Sequence, residues 1–79
     1  MEIRFSQSAR KHRIGKQRAL SVINANEPVL FKREGSETKL LKWIGIDDRG
    51  LILEIVAVPL GDQLLVIHVM PFKFRRGRL

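Results

Sequence analysis

Three apolar runs joined by two four-residue turns dominate the second half of the chain and leave few folds open to it. The runs are KLLKWIGI (Lys39–Ile46), LILEIVAV (Leu51–Val58) and QLLVIHVM (Gln63–Met70). Each has the length of a strand and is too short for a well-formed buried helix. Between them lie DDRG (Asp47–Gly50) and PLGD (Pro59–Asp62). Aspartate suits the start of a turn and glycine supplies positive φ, so both read as hairpin turns. The middle run is rich in β-branched residues and reads as a strand buried on most of its length. A shorter run, VLFK (Val29–Lys32), precedes them across the turn EGSE (Glu34–Glu37) and reads as a further strand.

The first 28 residues follow a different pattern. IRF (Ile3–Phe5) alternates apolar and basic like a short strand. Ser6 and Ser8 offer N-cap oxygens, and Ser8–Arg13 reads as a mostly polar helical turn or two. Gly15 then caps a second helix, Lys16–Ile23, with Ala19, Leu20 and Ile23 on one stripe. Asn24, Asn26 and Pro28 end it. The expected fold is therefore α+β, with short N-terminal helices packed on one face of an antiparallel β-meander of three to four strands. It forms a single domain over residues 1–79 with a basic tail at 72–79.

A 79-residue domain buries a modest fraction of its surface and gains from a cross-link, a metal or a partner chain. There is no cysteine, which excludes disulfides and thiolate metal sites. His12 and His68 lack ligand-like spacing, so no metal or other cofactor is expected. A partner, whether a second copy or another protein, is the remaining source of stability. The opening MEIRFSQSARKHR has no apolar signal core, and no apolar run reaches the length of a membrane span. The expectation is a cytoplasmic protein with no membrane partner.

The formal charge is +7 and unevenly placed: +5 over residues 1–18, +4 over 73–79 and −2 between. Basic chain ends that meet on folding would make a patch for phosphates or for an acidic protein. RKHRIGKQR supplies Arg10, Lys11, His12, Arg13, Lys16 and Arg18. Guanidinium groups grip phosphate in two-pronged fashion, lysine adds a point charge, and imidazole can move a proton near neutral pH. A solvated helix face is the plain alternative. FKFRRGR adds Lys73, Arg75, Arg76 and Arg78 beside Phe72 and Phe74. Rings and cations so interleaved suit single-stranded nucleic acid, although the phenylalanines could simply pin the tail to the core.

Glu54 and His68 interrupt otherwise apolar strands. They face each other if opposed residues across the Pro59–Asp62 turn sum to 122, and part if the sum is 121. They form either a structural polar patch or half of an acid–base site. Trp43, the one tryptophan, suits a core or an interface. A glycine-rich phosphate loop, a nucleophilic cysteine and a nucleophile elbow are all missing. Any nuclease chemistry would be metal-independent, with the RNA 2′-hydroxyl as nucleophile.

KHRIGKQRALSVI (Lys11–Ile23) resembles the BrnT-type toxin pattern, in which a Lys-His pair precedes a Gly/Ile-containing break and an amphipathic helix. WIGIDDRGLILEIVAV and LLVIHVMPFKFRR resemble that family's strands and basic C-terminal segment. The resemblance implies a RelE-like domain and a toxin of a toxin–antitoxin pair, a metal-independent endoribonuclease silenced by a DNA-binding antitoxin. Lys11 and His12 match well, and Arg75 and Arg76 loosely, so these four are the implied catalytic residues. Arg10, Arg13, Lys16, Arg18, Lys73 and Arg78 would hold the RNA. The chain departs from the pattern in lacking the longer C-terminal helix and in starting its helix with Gly15-Lys-Gln-Arg. Two rival readings stand beside this one. One is a non-catalytic nucleic-acid or protein interaction domain. The other is a homodimer joined through an exposed strand edge or through Trp43.

Overall fold

The computed structural model describes residues 2–72. In chain order the elements are β1 (Glu2–Phe5), a single 3-10 turn (Ser8–Arg10), α1 (Lys16–Ala25), β2 (Val29–Lys32), β3 (Lys39–Ile46), β4 (Ile52–Leu60) and β5 (Gln63–Pro71). The strands form one sheet in the order β1-β5-β4-β3-β2. β2 to β5 are antiparallel neighbours, as a meander requires. β1 pairs in parallel with β5, from Glu2 opposite Gln63 to Phe5 opposite Val66.

The expected architecture is corrected here. The described residues form a five-stranded mixed sheet carrying one α-helix, not short helices on an antiparallel meander of three to four strands. Alternation in IRF marks a strand but not its partner, and the partner lies some sixty residues away, beyond the reach of local pattern. Ser8–Arg13 yields only a 3-10 turn, because Arg13 adopts φ 60° and breaks the helical path.

Register divides the side chains into two faces. Ile3, Phe5, Leu41, Trp43, Leu53, Ile55, Ala57, Leu64, Val66 and Val69 point to the side carrying α1, and all belong to the core. α1 contributes Ala19 and Val22, both fully buried, with Ile14 and Ile23 packed alongside. The small Ala19 lets the helix approach β3 and β4 closely. Gly45 serves the same end: a Cβ there would overlap the Asn26 side-chain amide, which donates to the Val22 carbonyl oxygen and finishes the helix.

A β-bulge sets the placement of the polar residues. β4 and β5 pair as Ala57 opposite Val66, but then as Val56 opposite His68, so Ile67 is the extra residue. The Ser8 hydroxyl donates to the Ile67 carbonyl oxygen at 2.8 Å. Without the extra residue, His68 would share the face of Leu64 and Val66 and enter the core. With it, Val69 takes that place and His68 turns to the opposite face.

Candidate nucleic-acid interface

The basic segment RKHRIGKQR runs from the last residue of the 3-10 turn through the link at 11–15 into the first turn of α1. The link is anchored on either side of its cations. Ala9 is 2% exposed and sits against the core, and Ile14 packs against the same cluster. Pinning Ala9 and Ile14 forces the intervening cations outward: Arg10, Lys11 and Arg13 are exposed and His12 is half-buried. Arg13 holds the left-handed conformation at φ 60°, which costs a non-glycine residue about 1–2 kcal/mol. Such strain concentrates at functional positions.

Arg10, Arg13, Ile14, Gly15 and Lys16 line a concavity of about 370 Å³. Its floor is the start of α1, where no side chain caps the helix and the first turn holds no acid. The positive end of the helix therefore adds to the field of three cations. Lys16 is oriented by Phe5, its ammonium lying 5.8 Å from the ring centroid. The arrangement can bind an anionic group. The concavity lacks a carboxylate in its lining.

The remaining residues marked by sequence are placed as follows. Lys11 and His12 lie in the same link, next to the concavity's lining. Arg18 faces elsewhere: its Nε donates to Asp47 Oδ2 at 2.7 Å, and it is 18% exposed. Lys73, Arg75, Arg76 and Arg78 lie outside the described residues. Trp43 is 3% exposed and lies under α1.

Glu54 and His68 do come together, though by neither register expected. Opposed residues sum to 123 near the turn and to 124 past the bulge, so Glu54 lies opposite Met70 and diagonal to His68. Glu54 Oε1 and His68 Nε2 are 3.3 Å apart, and Lys42 Nζ reaches Glu54 Oε2 at 3.5 Å. Lys42 was not legible as a member from sequence, because it required the β3–β4 register as well. This cluster lies on the sheet face opposite α1, so the sheet separates it from the basic link.

The Asp47 interaction was also missed. Its Oδ1 accepts the Arg49 and Leu51 N–H groups at 2.8 and 2.9 Å, the pattern of an Asx-turn. The leading Asp of DDRG was the available signal. Burial by itself raises the Asp47 carboxyl, but the Leu51 N–H, the Arg18 guanidinium and the Arg49 N–H outweigh it and hold the group below the usual aspartate range. The described residues contain no cluster of His, Cys, Asp or Glu able to hold a metal ion. No described helix is long and apolar enough to cross a membrane. No protein-family model, curated protein or solved structure matches the chain.

Proposed function

We propose that the protein binds single-stranded RNA, holding its phosphates in the concavity between the 3-10 turn and α1. The observation that carries this reading is the lining itself: Arg10, Arg13 and Lys16 around about 370 Å³, with no acid among them. Two guanidinium groups suit phosphate oxygens in two-pronged contact, and the ammonium adds charge. A single strand is favoured over duplex DNA. Beyond Arg18, α1 carries no further cation that could extend a basic stripe along a groove.

The test is fluorescence anisotropy of a short single-stranded RNA over a salt series, with wild type and Arg10→Ala/Arg13→Ala/Lys16→Ala. Each lost phosphate contact on a single strand lowers the salt slope by about 0.7, so the triple variant should lose about 2. Unchanged affinity and slope would remove the concavity from the interface. The same incubation in EDTA reads out strand cleavage. Products that vanish in His12→Ala make the protein a metal-independent ribonuclease, with the neighbouring His12 as its proton-transfer residue. Intact RNA leaves a binding domain. The toxin reading adds an antitoxin partner, and growth arrest relieved by such a partner is its test.

A further inference from the structure

The sheet face turned away from α1 is an interaction surface, and we infer that its occupant is the same face of a second copy of this chain. The inference does not depend on RNA binding, which uses the other side of the sheet.

Register places Ile44 and Ile46 of β3 and Ile52 of β4 on this face, with Ile46 directly opposite Ile52 and Ile44 opposite Glu54. Their exposures are 43%, 62% and 45%. Val29 of β2, opposite Lys42 and diagonal to Ile44, continues the patch and is 64% exposed. At the other end of the face Val58 lies opposite Leu65, and Leu60 opposite Gln63. The cluster of Val29, Ile44, Ile46 and Ile52 is exposed aliphatic surface of the kind that marks an interaction site.

Charge selects the occupant. The strands direct two cations, Arg4 and Lys42, and two carboxylates, Glu2 and Glu54, to this face. It is balanced, although the chain carries +7. The basic link lies on the α1 side, so two copies can meet here without bringing their basic links together. A strongly acidic partner would find its complement on the α1 side instead. Lys42, Glu54 and His68 already interact within one copy, so the polar centre of the face enters an interface paired.

Size agrees. Five strands about 4.8 Å apart, with nine residues in the longest at about 3.3 Å each, span roughly 24 by 30 Å. Allowing for the short edge strands, the face offers roughly 540 Å² in projection, of the order of the ~800 Å² per partner of a standard interface. Two such sheets stack about 10 Å apart with strands within about 30° of alignment, in an isologous dimer. A small domain without cross-links gains the buried core it otherwise lacks.

Sedimentation equilibrium on the full chain, up to roughly 200 μM, tests the inference, a range that detects micromolar association. The expected mass is twice 9.1 kDa. Ile46→Lys/Ile52→Lys should weaken association at least about 100-fold, because each copy would bring two unpaired ammonium groups into the most exposed apolar part of the interface. Leu30→Lys is the control: Leu30 is 58% exposed on the β2 edge and faces the α1 side, so the dimer should persist. The thermal midpoint of wild type supplies a readout independent of any variant, since dimerisation makes it rise with concentration. A 9.1 kDa species throughout with a concentration-independent midpoint overturns the inference. So does a dimer that survives in Ile46→Lys/Ile52→Lys, or one that Leu30→Lys abolishes.

Discussion

Replacing Asp47 with alanine should cost more stability than its position in a surface turn suggests. The carboxylate is fully buried and accepts three hydrogen bonds, from Arg18 Nε and from the Arg49 and Leu51 N–H groups. Alanine leaves two backbone donors and a guanidinium without their acceptor. Breaking a buried ion pair from one side costs about 3–5 kcal/mol. Arg18 keeps 18% exposure and can rehydrate, so the lower end, about 3 kcal/mol, is expected. A domain of this size has a total stability of about 4–12 kcal/mol. The loss would lower the melting temperature by roughly 12–24 °C. Urea titration of wild type, Asp47→Ala and the exposed neighbour Asp48→Ala measures it directly, and Asp48→Ala should stay within about 0.5 kcal/mol. The effect also has a pH signature. Asp47 is held below the unfolded aspartate value of about 3.9. Its contribution is complete above that value and is lost as pH falls through the lower folded value. The gap between wild type and Asp47→Ala should therefore stay level from neutral pH down to about 5 and narrow below about 4. A gap under about 1 kcal/mol at pH 7, or one that does not narrow in acid, would refute the account of Asp47 as the pin between α1 and the β3–β4 turn.

Three further outcomes are expected. Arg13→Gly relieves the positive φ and should raise stability by about 0.5–1 kcal/mol in urea titration while weakening RNA binding in anisotropy, because strain and charge reside in one residue. Gly45→Ala forces the Asn26 amide aside and should cost about 1–2 kcal/mol, with the loss visible as reduced helical ellipticity on heating and much of it restored in Gly45→Ala/Asn26→Gly. Leu53→Ala empties a fully buried position and should cost about 2–5 kcal/mol, whereas Leu30→Ala on the exposed β2 edge should stay within about 0.5 kcal/mol in the same titration.

The three long strands and the start of α1 were legible in the sequence because their signals are local. Run length, flanking turns and Gly15 each act within a few residues. β1 was legible as a strand but not as the parallel neighbour of β5, since nothing nearby in sequence encodes a pairing across the whole domain. The bulge at Ile67 escaped for a different reason. In QLLVIHVM every residue near the bulge except His68 is apolar, so alternation carries no phase and the shift between Val66 and His68 leaves no mark. The Glu54–His68–Lys42 cluster followed that bulge out of sight. In the basic link the charges could be read directly, but their concavity could not. It depends on Ala9 being buried and Ile14 packing against the core on either side of Arg13, and small or apolar residues beside cations give no hint of which ones anchor the link.

The parallel pairing of β1 with β5 also orders the folding of the chain in time. β3, β4 and β5 can zip through two short turns, whereas Glu2 must wait for Gln63, about sixty residues later, before its first ladder bond can form. On a translating ribosome the first strand to emerge is the last to find its place. Until it does, the outer edge of β5 is open to any other extended segment, including β1 of a neighbouring nascent chain. Prompt docking of Ile3 and Phe5 against the core closes that edge.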